Sequence, residues 1–247
     1  MEKIDFLAIN ELIYQIYTSK DGQQLKERFL ENIRRIIPYS YASIMMVKEE
    51  KSRLCVSDPY CVPSDFTQFE MDYSKYEAID HTDWVLQSSE TVIIRESAIM
   101  PDSKRLATPI YRQYYDKYQI YDTLQMSIVY SNKPIAFLTL YRTKSDGAFT
   151  DDDSFYLHAL RKHLNYAFYT AYASEESHQH RNSILELTER FGLTRRESEI
   201  LGMIFSDKDN YDMVCALGIT NHTLQKHLQN IYKKMNVSGR IELMKYR

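Results

Sequence analysis

The stretch Leu193-Thr-Arg-Arg-Glu-Ser-Glu-Ile-Leu-Gly-Met-Ile-Phe205 opens a region in which apolar residues recur at helical spacing. Thr194 and Glu197 have the spacing of a capping box, in which each side chain bonds an otherwise unpaired backbone N–H at a helix start. After a polar break, Asn210 is positioned to cap a second helix. Gly218 ends that helix, at a place where a left-handed residue is favoured. The region therefore predicts short helices joined by tight turns.

Thr220 is predicted to cap a third helix, which has two distinct faces at about 100° per residue. One face is an apolar stripe of Leu224, Leu228, Ile231 and Met235. The opposite face has no acidic residue and carries His222, Lys226, Gln229 and Lys233, with Gln225 at its edge and Asn230 on the other side. Lys, Gln and Asn side chains bond phosphates and base edges. The pattern favours a helix-turn-helix; a solvated surface on a small helical bundle is the alternative.

Charge is distributed unevenly along the 247 residues, which carry 31 basic and 34 acidic side chains. Residues 191–247 hold nine basic and six acidic groups, a sum of +3, so the first 190 residues sum to −6. Such an asymmetry indicates two parts with different partners. The polar stretch after residue 174 is interpreted as a linker. We therefore predict a sensor domain at 1–174, a linker at 175–190 and a second domain at 191–247.

Four short stretches of the C-terminal region together resemble the DNA-binding domain of LuxR-type transcriptional regulators. They are Leu193-Thr-Arg-Arg-Glu197, Leu217-Gly-Ile-Thr220, Thr223-Leu-Gln-Lys-His227 and Ile231-Tyr-Lys-Lys-Met-Asn-Val-Ser-Gly-Arg240. The resemblance implies an all-α, four-helix domain that binds double-stranded DNA in a major groove and dimerises through its last helix, near 238–246. The base-reading positions of the family fall on Gln225, Lys226 and Gln229. Its phosphate-contacting positions fall on Thr220, Thr223, Asn230, Lys233 and Lys234.

The first 174 residues mix predicted strands and helices. Apolar or alternating runs predict strands at 41–47, 53–57, 91–95, 123–130 and 135–142. Helical spacing and caps predict helices at 5–18, 22–36, 65–78, 82–88, 108–118 and 151–172. This mixed order favours an α+β fold. The runs Ile120-Tyr-Asp-Thr-Leu124, Phe149-Thr-Asp-Asp-Asp153 and His163-Leu164 resemble GAF-like sensor modules, which implies an antiparallel sheet with flanking helices and an input domain for a signal.

Aromatic residues between the predicted strands are candidates for a ligand pocket, namely Trp84, Tyr111, Tyr115 and Tyr118. An apolar pocket with a few polar tips suits an aromatic or acyl small molecule. The alternative is equally simple, because aromatic residues at helical spacing are also typical of a core or an interface. The Tyr/Trp/Asp pattern of acyl-homoserine-lactone sensors cannot be located in the sequence.

The sequence gives little support for catalysis, metal binding or a membrane location. Gly-rich phosphate loops, GxSxG and HExxH are absent, so we expect no catalytic residue, no cofactor and no enzyme activity. Cys55 and Cys61 are interpreted as structural thiols, and His178 and His180 as residues of a solvated linker, so no metal site is expected. No run of about 18 apolar residues is present and the start does not resemble a signal peptide. With three cysteines, the chain is expected in the reducing cytoplasm.

These features together predict a bacterial, homodimeric transcription regulator. Its N-terminal domain would sense a small molecule or another signal, and its C-terminal helix-turn-helix would bind operator DNA. Two alternatives remain open at this point. The first is a signalling adaptor whose N-terminal domain binds a partner protein, and the second is a DNA binder that needs no ligand.

Overall fold

The structure is a computed structural model that describes residues 3–50 and 52–246, with the side chains of 6–50, 52–172 and 184–246. The chain divides into two compact units, residues 1–172 and 173–247. A five-stranded sheet lies in the first unit, and the described part of the second is helical. The predicted combination of an α+β domain with an all-α C-terminal domain is therefore confirmed.

The sheet is antiparallel throughout and has the strand order β2-β1-β5-β4-β3. Its strands are β1 (Tyr41–Glu50), β2 (Arg53–Val62), β3 (Ile93–Arg95), β4 (Ile120–Tyr130) and β5 (Lys133–Thr143). Strands β4 and β5, which contain the predicted strands 123–130 and 135–142, form a hairpin. Ser131 and Asn132 make its two-residue turn with φ of 51° and 61°, the backbone that matches the right-handed twist of paired strands.

Three long helices cover one face of the sheet: α1 (Lys3–Tyr17), α2 (Gly22–Ile33) and the first part of α6 (Asp151–Phe191). Side chains alternate along each strand, so Leu124, Met126 and Ile128 of β4 all point toward these helices and are fully buried. Leu157 and Leu164 of α6 meet them in the same core. This core holds the sheet rigid beneath the opposite face.

The opposite face is covered by the chain between β2 and β4, where the predicted helices are present as short or irregular helical segments. The α-helices there are short: α3 (Thr67–Asp72), α4 (Glu96–Ile99) and α5 (Asp102–Arg105). The predicted helices at 82–88 and 108–118 are instead a 3₁₀ turn at Asp83–Val85 and a π turn at Tyr111–Tyr115 followed by a 3₁₀ turn at Asp116–Tyr118. Stacked rings explain this, since Phe69 and Tyr114 lie with centroids 3.9 Å apart, and such packing overrides local helix propensity.

Helix α6 continues well beyond its predicted end at residue 172 and includes the segment 175–190 that the sequence suggested as a linker. No Gly or Pro occurs between residues 151 and 191, so nothing interrupts the backbone hydrogen bonds. The helix stops at Gly192, whose φ of +59° lets the Leu193 N–H reach the Thr188 carbonyl at 3.0 Å. The side chains of His178 and His180 lie outside the described residues.

The C-terminal unit contains the four predicted helices, α7 (Arg195–Phe205), α8 (Asn210–Leu217), α9 (Asn221–Met235) and α10 (Arg240–Leu243). Their core is apolar and fully buried, and includes Ile200, Ile204, Leu224 and Ile231. One predicted cap was wrong. Asp209, not Asn210, caps α8 by accepting a hydrogen bond from the Asp212 N–H at 2.7 Å, because Asn210 already has helical backbone.

Neither a membrane span nor a metal cluster is found in the described part of the chain. None of its helices combines the length and apolar character needed to cross a membrane. The described His, Cys, Asp and Glu side chains form no group of three that could hold a metal ion.

Candidate nucleic-acid interface and candidate ligand cavity

Helix α9 is positioned by the local signals that the sequence contains. The capping box at the start of α7 is present: the Thr194 N–H donates to Glu197 at 2.7 Å and the Glu197 N–H to the Thr194 hydroxyl at 3.3 Å. Gly218 has a φ of +61° in the turn before α9. Thr220 then caps α9, because its hydroxyl accepts a hydrogen bond from the Thr223 N–H at 3.2 Å. These caps set the direction in which α9 leaves the turn.

The outer side of α9 is a continuous exposed surface, which we call the recognition surface. It consists of His222, Gln225, Lys226, Gln229, Asn230 and Lys233. These side chains make no hydrogen bond or ion pair with any other residue that the structure describes. The predicted apolar stripe lies on the other side of α9 and is buried. The surface therefore presents ammonium and amide groups to solvent, with no carboxylate of its own helix among them.

The first turn of α9 adds a further polar feature. Thr220 is exposed, Thr223 is half-buried, and their hydroxyls lie 2.9 Å apart. Backbone N–H groups at the start of a helix point outward and favour a negatively charged group. The two threonines predicted to contact phosphate therefore flank a helix start that is suited to an anion.

Lys234 has an intradomain role that the sequence reasoning missed. Its ammonium lies 2.7 Å from the Glu197 carboxylate and donates to the Gly192 carbonyl at 2.9 Å, which ties α9 to the start of α7. Burial raises the pKa of Glu197, but hydrogen bonds from Lys234 and Thr194 more than offset it, so the pKa lies below its usual value. Of the two lysines predicted to contact phosphate, Lys234 thus already forms an ion pair within its own domain. Lys233 is exposed and has no partner among the described residues.

The N-terminal unit contains a small cavity between the sheet and the chain that covers its second face. Four tyrosine rings line it, those of Tyr73, Tyr114, Tyr115 and Tyr141, together with apolar side chains of the strands. A wider cleft along β2 adjoins the cavity and opens to solvent; the two share Met45, Val56, Glu70 and Tyr73 in their walls. The cavity is therefore reachable from the surface.

Of the four aromatic residues predicted to bind a ligand, Tyr115 alone lines this cavity. Trp84 is 51% exposed on the turn beside the cavity residue Asp83. Tyr111 and Tyr118 belong to an aromatic cluster with Phe66 and Phe69. That placement follows the alternative that the sequence left open, in which aromatic residues at helical spacing form a core.

The polar side chains of the cavity were not predicted. Glu70 is almost fully buried and accepts a hydrogen bond from the Tyr141 hydroxyl at 2.7 Å. Burial raises the pKa of Glu70 to about 7. Gln125 of β4 is buried as well, and its carbonyl oxygen has no hydrogen-bond partner among the described residues. A buried polar atom without a partner is uncommon in a folded protein, which marks this cavity as a candidate binding site.

Comparison with known proteins agrees with this architecture. Residues 21–168 match the GAF domain, and residues 192–246 match the luxR family of bacterial regulatory proteins, GerE. The transcriptional regulator MalT of Vibrio cholerae is 35% identical over 60 residues, which are 24% of this chain and 7% of MalT. The chain thus corresponds to less than a tenth of that relative.

Two solved structures resemble the whole chain. SdiA of Escherichia coli has a TM-score of 0.53 at 14% identity, covering 98% of this chain and 95% of that one. SdiA in complex with octanoyl-rac-glycerol has a TM-score of 0.52 at 15% identity, covering 100% and 96%. At this level of identity the likeness shows a shared fold. The chain belongs to the GAF domain family, and it joins that domain to a C-terminal helix-turn-helix domain of the luxR family of bacterial regulatory proteins.

Proposed function

We propose that this chain is a cytoplasmic transcription regulator, not an enzyme, which binds operator DNA through α9 and senses a signal through its GAF domain. The observation that carries the proposal is the recognition surface of α9. Its exposed lysines and amides have no partner among the residues that the structure describes, and they lie on the second helix of a helix-turn-helix, which in such domains enters the major groove. The family matches support the same function.

We further propose that the active form is a homodimer. Each unit exposes large apolar side chains of the kind that mark protein interaction sites. In the N-terminal unit Phe155 and Tyr166 of α6 are 56% and 48% exposed, and in the C-terminal unit Ile241 of α10 is 88% exposed. A dimer would place two copies of α9 on half-sites about 10 bp apart, one turn of DNA.

The signal is proposed to be a small molecule that occupies the GAF cavity. SdiA, which shares the fold, has been solved with octanoyl-rac-glycerol, and the cavity here has aromatic walls and access to solvent. A signalling adaptor or a ligand-independent DNA binder would leave the cavity empty. Thermal unfolding with candidate effectors separates these functions, because a ligand at 100 times its Kd adds about 2.7 kcal/mol to stability.

Binding to DNA is expected to depend steeply on salt. If each subunit contacts three or four phosphates, a dimer releases enough counterions for log K against log salt to have a slope of about −5 to −7. The measurement is fluorescence anisotropy with a duplex that the protein itself selects from random-sequence DNA. Affinity that stays constant between about 50 and about 200 mM salt would contradict docking through the lysines of α9.

Two neighbouring lysines provide a matched test of the recognition surface. Lys233→Ala is expected to weaken all duplexes alike and to reduce the salt slope by about one unit. Lys234→Ala removes the same charge from the adjacent position, but we expect it chiefly to lower the unfolding temperature, because it breaks the ion pair with Glu197. If both changes reduced the salt slope equally, Lys234 would contact a DNA phosphate as Lys233 does, and its ion pair with Glu197 would not be kept in the complex.

Gln229→Ala is expected to change the DNA sequence that the protein prefers, not the salt dependence of binding. Its amide lies at the centre of the recognition surface, where a glutamine can bond both edge atoms of an adenine. Selection from random DNA should then return an altered sequence preference, while the salt slope stays as in the parent protein. An unchanged preference would remove Gln229 from the base-reading positions.

A further inference from the structure

We propose that the GAF cavity is built for a small organic cation, a protonated amine with an apolar body, whose ammonium group lies between Glu70 and Gln125. The inference rests on the proposed sensing function and specifies its ligand class. The supporting observations are the charge of the cavity wall, an unpartnered acceptor on a residue that lines the cavity, and the tyrosine rings around them.

The charged residues found in the wall of the cavity are all acidic. Glu70, Asp80 and Asp83 line it, and none of the described Lys, Arg or His residues does. Asp83 is neutralised by Arg53, whose guanidinium lies 3.0 Å away. Asp80 is half-buried and accepts hydrogen bonds from Tyr73 and Thr82. Glu70 has no basic partner among the residues that the structure describes. One buried carboxyl group is thus left to pair with a positive charge from outside the protein.

Gln125 directs a hydrogen-bond acceptor into the same space. Its amide NH₂ donates to the Thr82 hydroxyl at 3.1 Å, and the hydroxyl in turn donates to Asp80 at 2.7 Å. Because the only proton of the Thr82 hydroxyl is used by Asp80, this contact requires the nitrogen of the Gln125 amide rather than its oxygen. The Gln125 carbonyl oxygen therefore points away from Thr82 and is left unpartnered. A ligand group that pairs with this carbonyl oxygen must donate an N–H or O–H.

Aromatic rings favour the same ligand class. Tyr73, Tyr114, Tyr115 and Tyr141 line the cavity, and a cation within about 6 Å of a ring face is attracted by the ring quadrupole. The apolar side chains of Leu86 and Phe137 stand beside them. An alkyl or aryl group attached to the ammonium would therefore find apolar contacts, and its cation would find rings and a carboxylate.

Desolvation explains why a neutral ligand would be less suitable. An ionised carboxylate without a partner is costly to bury, and burial accordingly raises the pKa of Glu70 to about 7. The groups facing it do not titrate near neutral pH: burial raises the pKa of Cys61 on β2 to about 12 and those of Tyr114 and Tyr141 far above their usual value. An ammonium ion stabilises the ionised form of Glu70 by its charge as well as by a hydrogen bond, whereas an alcohol offers a hydrogen bond alone and an anion is repelled.

The test is a charge series of matched probes added to the full chain. The amines are 2-phenylethylamine and hexylamine, the neutral probes 2-phenylethanol and 1-hexanol, and the anions phenylacetate and hexanoate. Binding is measured by calorimetry and by the fluorescence of Trp84, the only tryptophan of the chain, which adjoins the cavity residue Asp83. We expect the amines to bind at least about tenfold more tightly than the alcohols, as for a buried hydrogen bond to a charged group, and the anions not to bind.

Two variants with the same change of charge localise the effect. Glu70→Gln should remove the preference for amines over alcohols, whereas Glu90→Gln, at an exposed position outside the cavity wall, should leave it unchanged. Equal affinity for amine and alcohol, failure of every amine to bind, or an unaltered preference in Glu70→Gln would each overturn the inference. Binding of the neutral or anionic probes would leave the sensing function standing, and DNA binding is measured separately by anisotropy.

Discussion

Asp153→Ala is expected to destabilise the GAF domain by about 3 to 5 kcal/mol, because it leaves a buried guanidinium without its counter-ion. Arg142 of β5 bonds both Asp153 oxygens, at 3.0 and 3.3 Å, and the two side chains are 9% and 8% exposed. Arg142 also donates to the carbonyls of Pro38 and Ala148, and its guanidinium lies 4.2 Å from the Phe149 ring centroid. The pair thus joins the sheet to the start of α6.

The neighbouring acid provides the control for this change. Asp152→Ala removes the same charge from the same helix start, but Asp152 is exposed, so we expect a loss of about 0.3 to 1 kcal/mol. The free energy of unfolding is measured by urea titration of the full chain, followed by Trp84 fluorescence and circular dichroism. Replacing both partners, Arg142→Met with Asp153→Leu, should recover much of the loss. Equal destabilisation by the two alanine variants would show that burial of the pair does not matter.

Glu70→Gln is expected to stabilise the ligand-free GAF domain increasingly as the pH rises from 5 to 8. The pKa of Glu70 is raised from 4.5 to about 7 by burial, so the folded state retains a proton that the unfolded state has lost. The parent protein therefore loses stability across this range, and the loss is complete once the pH exceeds 7. At about 1.36 kcal/mol per pKa unit, the difference between variant and parent grows by about 3 kcal/mol.

Urea titrations of both proteins at pH 5, 6, 7 and 8 test this expectation. Other titrating groups, including Glu96, whose pKa burial raises to about 8, are present in both proteins and cancel in the difference. A difference that stays constant with pH would refute a buried, titrating carboxyl at position 70. Together with loss of amine binding, the expected result would mean that Glu70 is kept for function at the expense of stability, which is common at binding sites.

The C-terminal domain could be predicted in detail because its signals are local. Thr194 with Glu197, Gly218 and Thr220 each act on backbone within about one helical turn. The predicted apolar stripe of α9 is buried and the six residues of the recognition surface are exposed. The ion pair of Lys234 with Glu197 could not be predicted, since it joins residues 37 positions apart that only the packing of α9 on α7 brings together.

The GAF domain could be predicted only in outline. Strand alternation correctly indicated the central hairpin, but β1, β2, β4 and β5 all extend beyond their predicted limits because pairing with neighbours prolongs them. In the covering chain between β2 and β4, the predicted helices are broken into short α, 3₁₀ and π segments, around which aromatic rings stack. The stacked pair of Phe69 and Tyr114 joins residues 45 positions apart, so no local pattern contains this contact.

The sequence by itself determined the two-domain organisation, the helix-turn-helix and the residues that α9 turns outward, since caps and periodicity depend on neighbours along the chain. Tertiary structure alone decided the ligand cavity. Thr123, Gln125 and Ser127 alternate with apolar residues, as on a strand whose polar side faces water, and Glu70 is a charged residue of a type that is usually exposed. All four are buried here. A segment from elsewhere in the chain covers them, and this desolvation, which no spacing records, is what marks Glu70 and Gln125 as candidate binding residues.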